Sequence, residues 1–105
     1  MTLEGFRREQ EEVVKILEQR ASPGTRMTIV SVTGDPGSNV PRIFESRRLI
    51  VAPNGSTEYV ISVMIFGAQA TASLISSSRD EKANEANYVQ FAVPLMVFVH
   101  SQPAN

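Results

Sequence analysis

Residues 87–100 read NYVQFAVPLMVFVH, the most apolar stretch of the chain. Its richness in Val and Phe reads as a final strand over Tyr88–His100. Side chains alternate across a strand, so Val89, Phe91, Val93, Leu95, Val97 and Val99 would share one face. Tyr88, Gln90, Ala92, Pro94, Met96, Phe98 and His100 would share the other. Both faces would be greasy, and the second would need a cover. Pro94 cannot donate to a sheet ladder, which suits an edge or bulge position.

Working back from this stretch, SRDEKANEAN (78–87) reads as a polar loop or a short helical turn, and QATASLISS (69–77) as a strand. Gly67 marks a bend or bulge. TEYVISVMIF (57–66) and RIFESRRLIVA (42–52) flank PNGS (53–56). Asn54-Gly55 between two apolar runs predicts a two-residue type I′ hairpin turn with positive φ at both residues. GDPGSNVP (34–41) reads as a turn or loop, and RMTIVSVT (26–33), rich in β-branched residues, as a strand. Residues 3–20 read as a helix. Leu3, Phe6, Val13 and Leu17 form an apolar stripe, with Gln10 filling its gap. Thr2 caps its start, Glu4 and Arg20 suit the two ends of its dipole, and SPG at 22–24 stops it. The tail is SQPAN.

The fold class expected is α+β. An N-terminal amphipathic helix precedes a four- or five-stranded antiparallel β-meander and packs on one sheet face, all within a single domain of residues 1–105. A helix of this length is a rod ~27 Å long and ~10 Å wide, and strands lie ~4.8 Å apart, so it shields about two strands. Half of an apolar sheet face would stay bare, and a two-fold-related copy would supply the missing helix. The chain is therefore expected to be a homodimer.

Composition narrows the function classes. Hydrophobic content is 42%, charged content 20%, net charge −1, and there is no cysteine. That removes disulfides and thiol chemistry. The N-terminus is too charged for a signal peptide, and no apolar run reaches the ~20 residues of a membrane span, so no membrane partner is expected. Residues 26–78 carry Arg26, Arg42, Arg47 and Arg48 against Asp35, Glu45 and Glu58, a slightly positive sheet region beside a slightly acidic helix. His100 is the sole histidine, without a second ligand at metal spacing. Ser76, Ser77 and Ser78 have no matched base. Glu45 and Glu58 flank the hairpin and could meet across it, but without a cleft or a proton-transfer partner. GDPGS lacks the lysine and helix of a phosphate loop. The expectation is a protein without enzymatic activity or cofactors. Arg48 and Ser62, together with Tyr88 and Gln90, would face away from the helix-covered side, where an arginine can contact phosphate and a tyrosine can stack on a base.

The run RRLIVAPNGSTEYVISVMIFGAQATASLIS, with NYVQFAVPLMVFVH after it, resembles the coat proteins of single-stranded RNA phages (levivirus-like). The likeness spans about residues 26–100 and is one of strand order and texture. It implies an antiparallel meander whose subunits join edge to edge, with helices crossing the partner's sheet and the opposite face binding genomic RNA. In that family the helices typically follow the last strand, whereas the amphipathic helix here comes first. The resemblance implies a viral or phage structural protein that dimerises and self-assembles into a capsid. Its partners would be itself and single-stranded RNA, contacted by Arg48, Ser62, Tyr88 and Gln90. Its location would be the virion, and the host cytoplasm before assembly. The competing expectation is a small oligomeric protein-binding module of phage or bacterial origin without catalytic activity.

Overall fold

A computed structural model describes residues 2–34 and 42–102. The expected loop at 34–41 lies almost wholly outside these residues. The elements run α1 (Leu3–Arg20), β1 (Arg26–Gly34), β2 (Arg42–Val51), β3 (Thr57–Phe66), β4 (Thr71–Ser78) and α2 (Glu81–His100). The fold is α+β. The strands form one antiparallel sheet in the order β1-β2-β3-β4, each beside its sequence neighbour.

The first helix, all four strands and the antiparallel β2–β3 hairpin follow the sequence reading, but the hairpin register does not: a two-residue Asn54-Gly55 turn would set Val51 opposite Glu58, whereas Val51 pairs with Thr57. The expected final strand does not form. Residues 81–100 form a helix, opened by Asp80, whose side chain accepts from the Ala83 N–H at 2.9 Å. An apolar run of this length is as consistent with a buried helix as with a strand, and periodicity within it does not separate the two. The polar segment before it decides. Asn84, Tyr88, Ala92 and Val99 are buried, and Leu95 packs against the same core. That is a helical stripe beginning in the residues read as a loop. Burying it against β3 and β4 outweighs the one intrahelical hydrogen bond that Pro94, lacking an N–H, cannot donate.

A further correction concerns the faces. The sheet is covered on both sides. Ile61, Val63 and Ile65 face α2 and form one core with Tyr88, Ala92 and Val99. Phe44 and Val32 point the other way and pack with Phe6 of α1, against Met64 and Phe66. The aromatic rings of Phe6, Phe44 and Phe66 stack in sequence, at centroid distances of 5.4 and 5.9 Å. The more aliphatic sheet face takes α2, whose half from Tyr88 onward is almost wholly apolar, and the more mixed face takes the amphipathic α1. Gln10 in the gap of the α1 stripe shows why the match works: its Oε1 accepts from the buried Ser46 hydroxyl at 2.8 Å. As expected for one rod, α1 lies on β1 and β2 only. Its C-terminal half rides high, and Leu17, expected in a shared core, is 39% exposed.

The turn at 52–56 also differs in kind. Gly55 has φ +88°, and no described non-glycine residue has positive φ, Asn54 included. The Gly55 N–H bonds the Ala52 carbonyl at 2.8 Å, and the Ala52 N–H bonds the Ser56 carbonyl at 2.9 Å. This is a type I turn followed by a left-handed glycine, the usual three-residue hairpin loop. Pro53 selects it by fixing φ at the first turn position. Asn54 instead uses its side chain, whose Oδ1 accepts from the Ser56 N–H and hydroxyl.

Candidate functional site

The sheet separates two adjacent arginines of β2. Arg47 faces α2 and is fully engaged. Its Nη1 and Nη2 donate to the two carboxylate oxygens of Glu85, and its Nε donates to Glu45 at 2.9 Å. Tyr88 donates its hydroxyl to the other Glu45 oxygen at 2.7 Å, and the Arg47 guanidinium lies 5.9 Å from the Tyr88 ring centroid. The bond from Arg47 holds the Glu85 carboxyl below its ordinary range and raises the arginine further. Burial first, and the Glu45 bond second, push the Tyr88 phenol up. Nearby, the buried Asn84 accepts from the Ser76 hydroxyl at 2.6 Å and donates to the Tyr59 carbonyl at 3.0 Å. These contacts clamp α2 onto the sheet, and each polar group is matched.

Arg48 faces α1 and is not matched. It is 9% exposed. Its Nη2 donates to the Ser62 hydroxyl at 3.2 Å, while its buried Nε has no hydrogen-bond partner. Among the described residues no ion pair includes it. Burial alone lowers its affinity for its proton. Arg48 sits at the boundary between the strands that α1 covers and those it leaves open. A cleft of about 180 Å³ lies there, lined by Phe6, Gln10 and Val13 from the helix side and by Ser62, Ser73 and Ile75 from the sheet. Ile75 is 67% exposed.

Of the four residues expected to form one RNA-facing surface, the structure brings together only Arg48 and Ser62. They point toward the α1 side rather than away from all helix cover, because both faces carry a helix. Tyr88 is buried on the opposite side of the sheet, and its ring is already occupied by Arg47. Gln90 is exposed on α2. The parity that grouped them assumed a strand at 88–100. Glu45 and Glu58 do not meet, since they point to opposite faces. His100 ends α2, where a basic residue suits the helix dipole. Among the described residues no cluster of His, Cys, Asp or Glu has metal-binding geometry, and no helix is long and apolar enough to cross a membrane.

The surface that sequence reasoning placed wrongly is that of α2. At 100° per residue, Val89, Val93 and Val97 run from one flank of its buried stripe round to the side opposite it. Phe91 and Phe98, a heptad apart, line the other flank. All five are exposed, Phe91, Val97 and Phe98 by about 60%. No protein-family model matches the chain, and neither a curated protein nor a solved structure shows significant similarity to it.

Proposed function

We propose that this chain is a self-associating structural subunit, a homodimer that builds a higher assembly. The observation that carries this reading is the half of α2 from Tyr88 onward, which exposes Val89, Phe91, Val93, Val97 and Phe98 outside its buried stripe. A helical segment so apolar belongs in an interior, and monomers seldom carry such a surface uncovered. The half-open face beside α1, where Met64 and Ile75 stand among Ser62 and Ser73, supplies a second, mixed surface on the other side of the sheet. Two association surfaces on opposite faces allow growth beyond a dimer, as a coat-like subunit requires. The likeness to single-stranded RNA phage coat proteins rests on the sequence texture of residues 26–100 and adds the expectation of RNA within such an assembly. The rival, an oligomeric protein-binding module without catalytic activity, shares the same association and differs in its nucleic acid content.

Light scattering after size exclusion, with negative-stain microscopy, tests the reading. The expected result is a dimer or larger particle, which Val97→Lys with Phe98→Lys reduces in size while leaving far-ultraviolet circular dichroism intact. A chain that stays monomeric at high concentration overturns it. A high 260/280 nm absorbance ratio in the particle selects the coat; its absence selects the module.

A further inference from the structure

The unmatched arginine calls for an anion. A buried charge without a partner is strongly unfavourable, and arginine at such a site is suited to a carboxylate or a phosphate. The cleft beside it is open on the β3–β4 side, where α1 does not reach. Its outer rim is the flank of α1 that carries Arg8, Glu9, Glu12, Val13 and Ile16 next to Met64, with Glu12 in an exposed pair with Lys15 at 3.6 Å. That flank has the two properties the open half-face lacks: carboxylates to meet Arg48, and apolar side chains to meet Met64 and Ile75.

We propose that Arg48 is the cation of an interface site for a carboxylate, supplied by Glu9 or Glu12 from α1 of a second copy of this chain. In a two-fold arrangement the relation is reciprocal, so each copy donates one helix and receives one. Val13 and Ile16 of the arriving helix cover the exposed sheet, and its carboxylate replaces the water that Arg48 lost on folding. The proposal rests on the self-association reading and names one of its surfaces.

Sedimentation equilibrium of the full chain at several salt concentrations tests it. Wild type should dimerise, with a dissociation constant that rises with salt. Arg48→Met keeps the packing volume and removes the unmatched charge, so it should fold at least as stably as wild type. It should also dimerise at least about tenfold more weakly, because the arriving carboxylate is then desolvated unpaired. Glu9→Gln with Glu12→Gln alters only exposed α1 positions, and should weaken the dimer to a similar degree even if the Arg48 variant folds poorly. Combining all three substitutions should add little further loss, the non-additivity of one shared contact.

Association of wild type with unchanged affinity in both variants overturns the Arg48 pairing while leaving self-association standing. A wild type that stays monomeric overturns both. Inorganic phosphate or RNA that stabilises wild type against heat, with Arg48→Met abolishing the effect and the dimer untouched, also overturns it and assigns the site to phosphate.

Discussion

The two faces of the sheet solve the same covering problem differently. On the α2 side, three aliphatic residues of β3 meet a helix, and every buried polar group there has a partner: Arg47 with Glu85 and Glu45, Tyr88 with Glu45, and Asn84 with Ser76 and a backbone carbonyl. On the α1 side, β2 presents Phe44, then the polar Ser46 and Arg48, the helix reaches only two strands, and Arg48 keeps an unpartnered nitrogen. The first face has its buried polar groups matched, and the second leaves Arg48 Nε unmatched and β3 and β4 beyond the reach of α1. Stability should therefore be concentrated on the α2 side and association on the α1 side and the outer flanks of α2.

The largest expected effect breaks the first face. Ile65 is fully buried, and Ile65→Ala should cost about 2–5 kcal/mol, measured by urea unfolding. Its neighbour Met64, only half-buried on the other face, should cost clearly less when replaced by Ala. Equal losses at the two positions would mean that the faces are equivalent after all. Next comes Asn84→Ala, which orphans the Tyr59 carbonyl and the Ser76 hydroxyl and should cost about 1–3 kcal/mol in the same assay.

The smallest effect sharpens the comparison through pH. The folded-state pKa of Tyr88 is raised above its ordinary value of 10.0, chiefly by burial and then by its bond to Glu45. The neutral phenol is the form the fold prefers. That contribution is fully present below pH 10 and is lost as pH rises above it toward the folded-state value. Unfolding midpoints should fall on the alkaline side, and Tyr88→Phe should flatten that limb while lowering the plateau. An unchanged alkaline limb in Tyr88→Phe would show that the phenol is not held as described.

The sequence disclosed what depends on local chemistry. Thr2, the SPG stop, the β-branched strands and the Pro53–Ser56 turn are short-range signals, and they placed α1, β1 to β4 and the β2–β3 hairpin, with the register one residue off because Pro53 makes the loop three residues long. It failed where local preference and tertiary context conflict. Val, Phe and Pro94 all argue against helix in residues 88–100. The counter-signal lay upstream, in Asp80 and the helix-forming segment Glu81–Ala86, which joins the apolar run in one stripe. That single misreading also misplaced Tyr88 and Gln90. Arg48 and Ser62 share a face because the three-residue loop sets Arg48 opposite Val60 and Ser46 opposite Ser62; the two-residue turn expected from Asn54-Gly55 would have set Arg48 opposite Ile61. Arg48's lack of a counterion was not legible either, since it depends on how far α1 extends over the sheet.

The strand order carries a kinetic consequence. Every strand pairs with the one next to it in sequence, and the loops 52–56 and 67–70 close the two hairpins at β3 over short spans. Forming the sheet thus needs no long crossover, and little loop entropy is lost before the first contacts form. The helices stand at the two ends of the chain, each beside the strand it follows or precedes. A hairpin built around β3 can gather its neighbours outward in both directions, and each helix can dock as soon as its own strand is in place. A chain of this strand order should therefore reach its native topology early, as stopped-flow refolding would show.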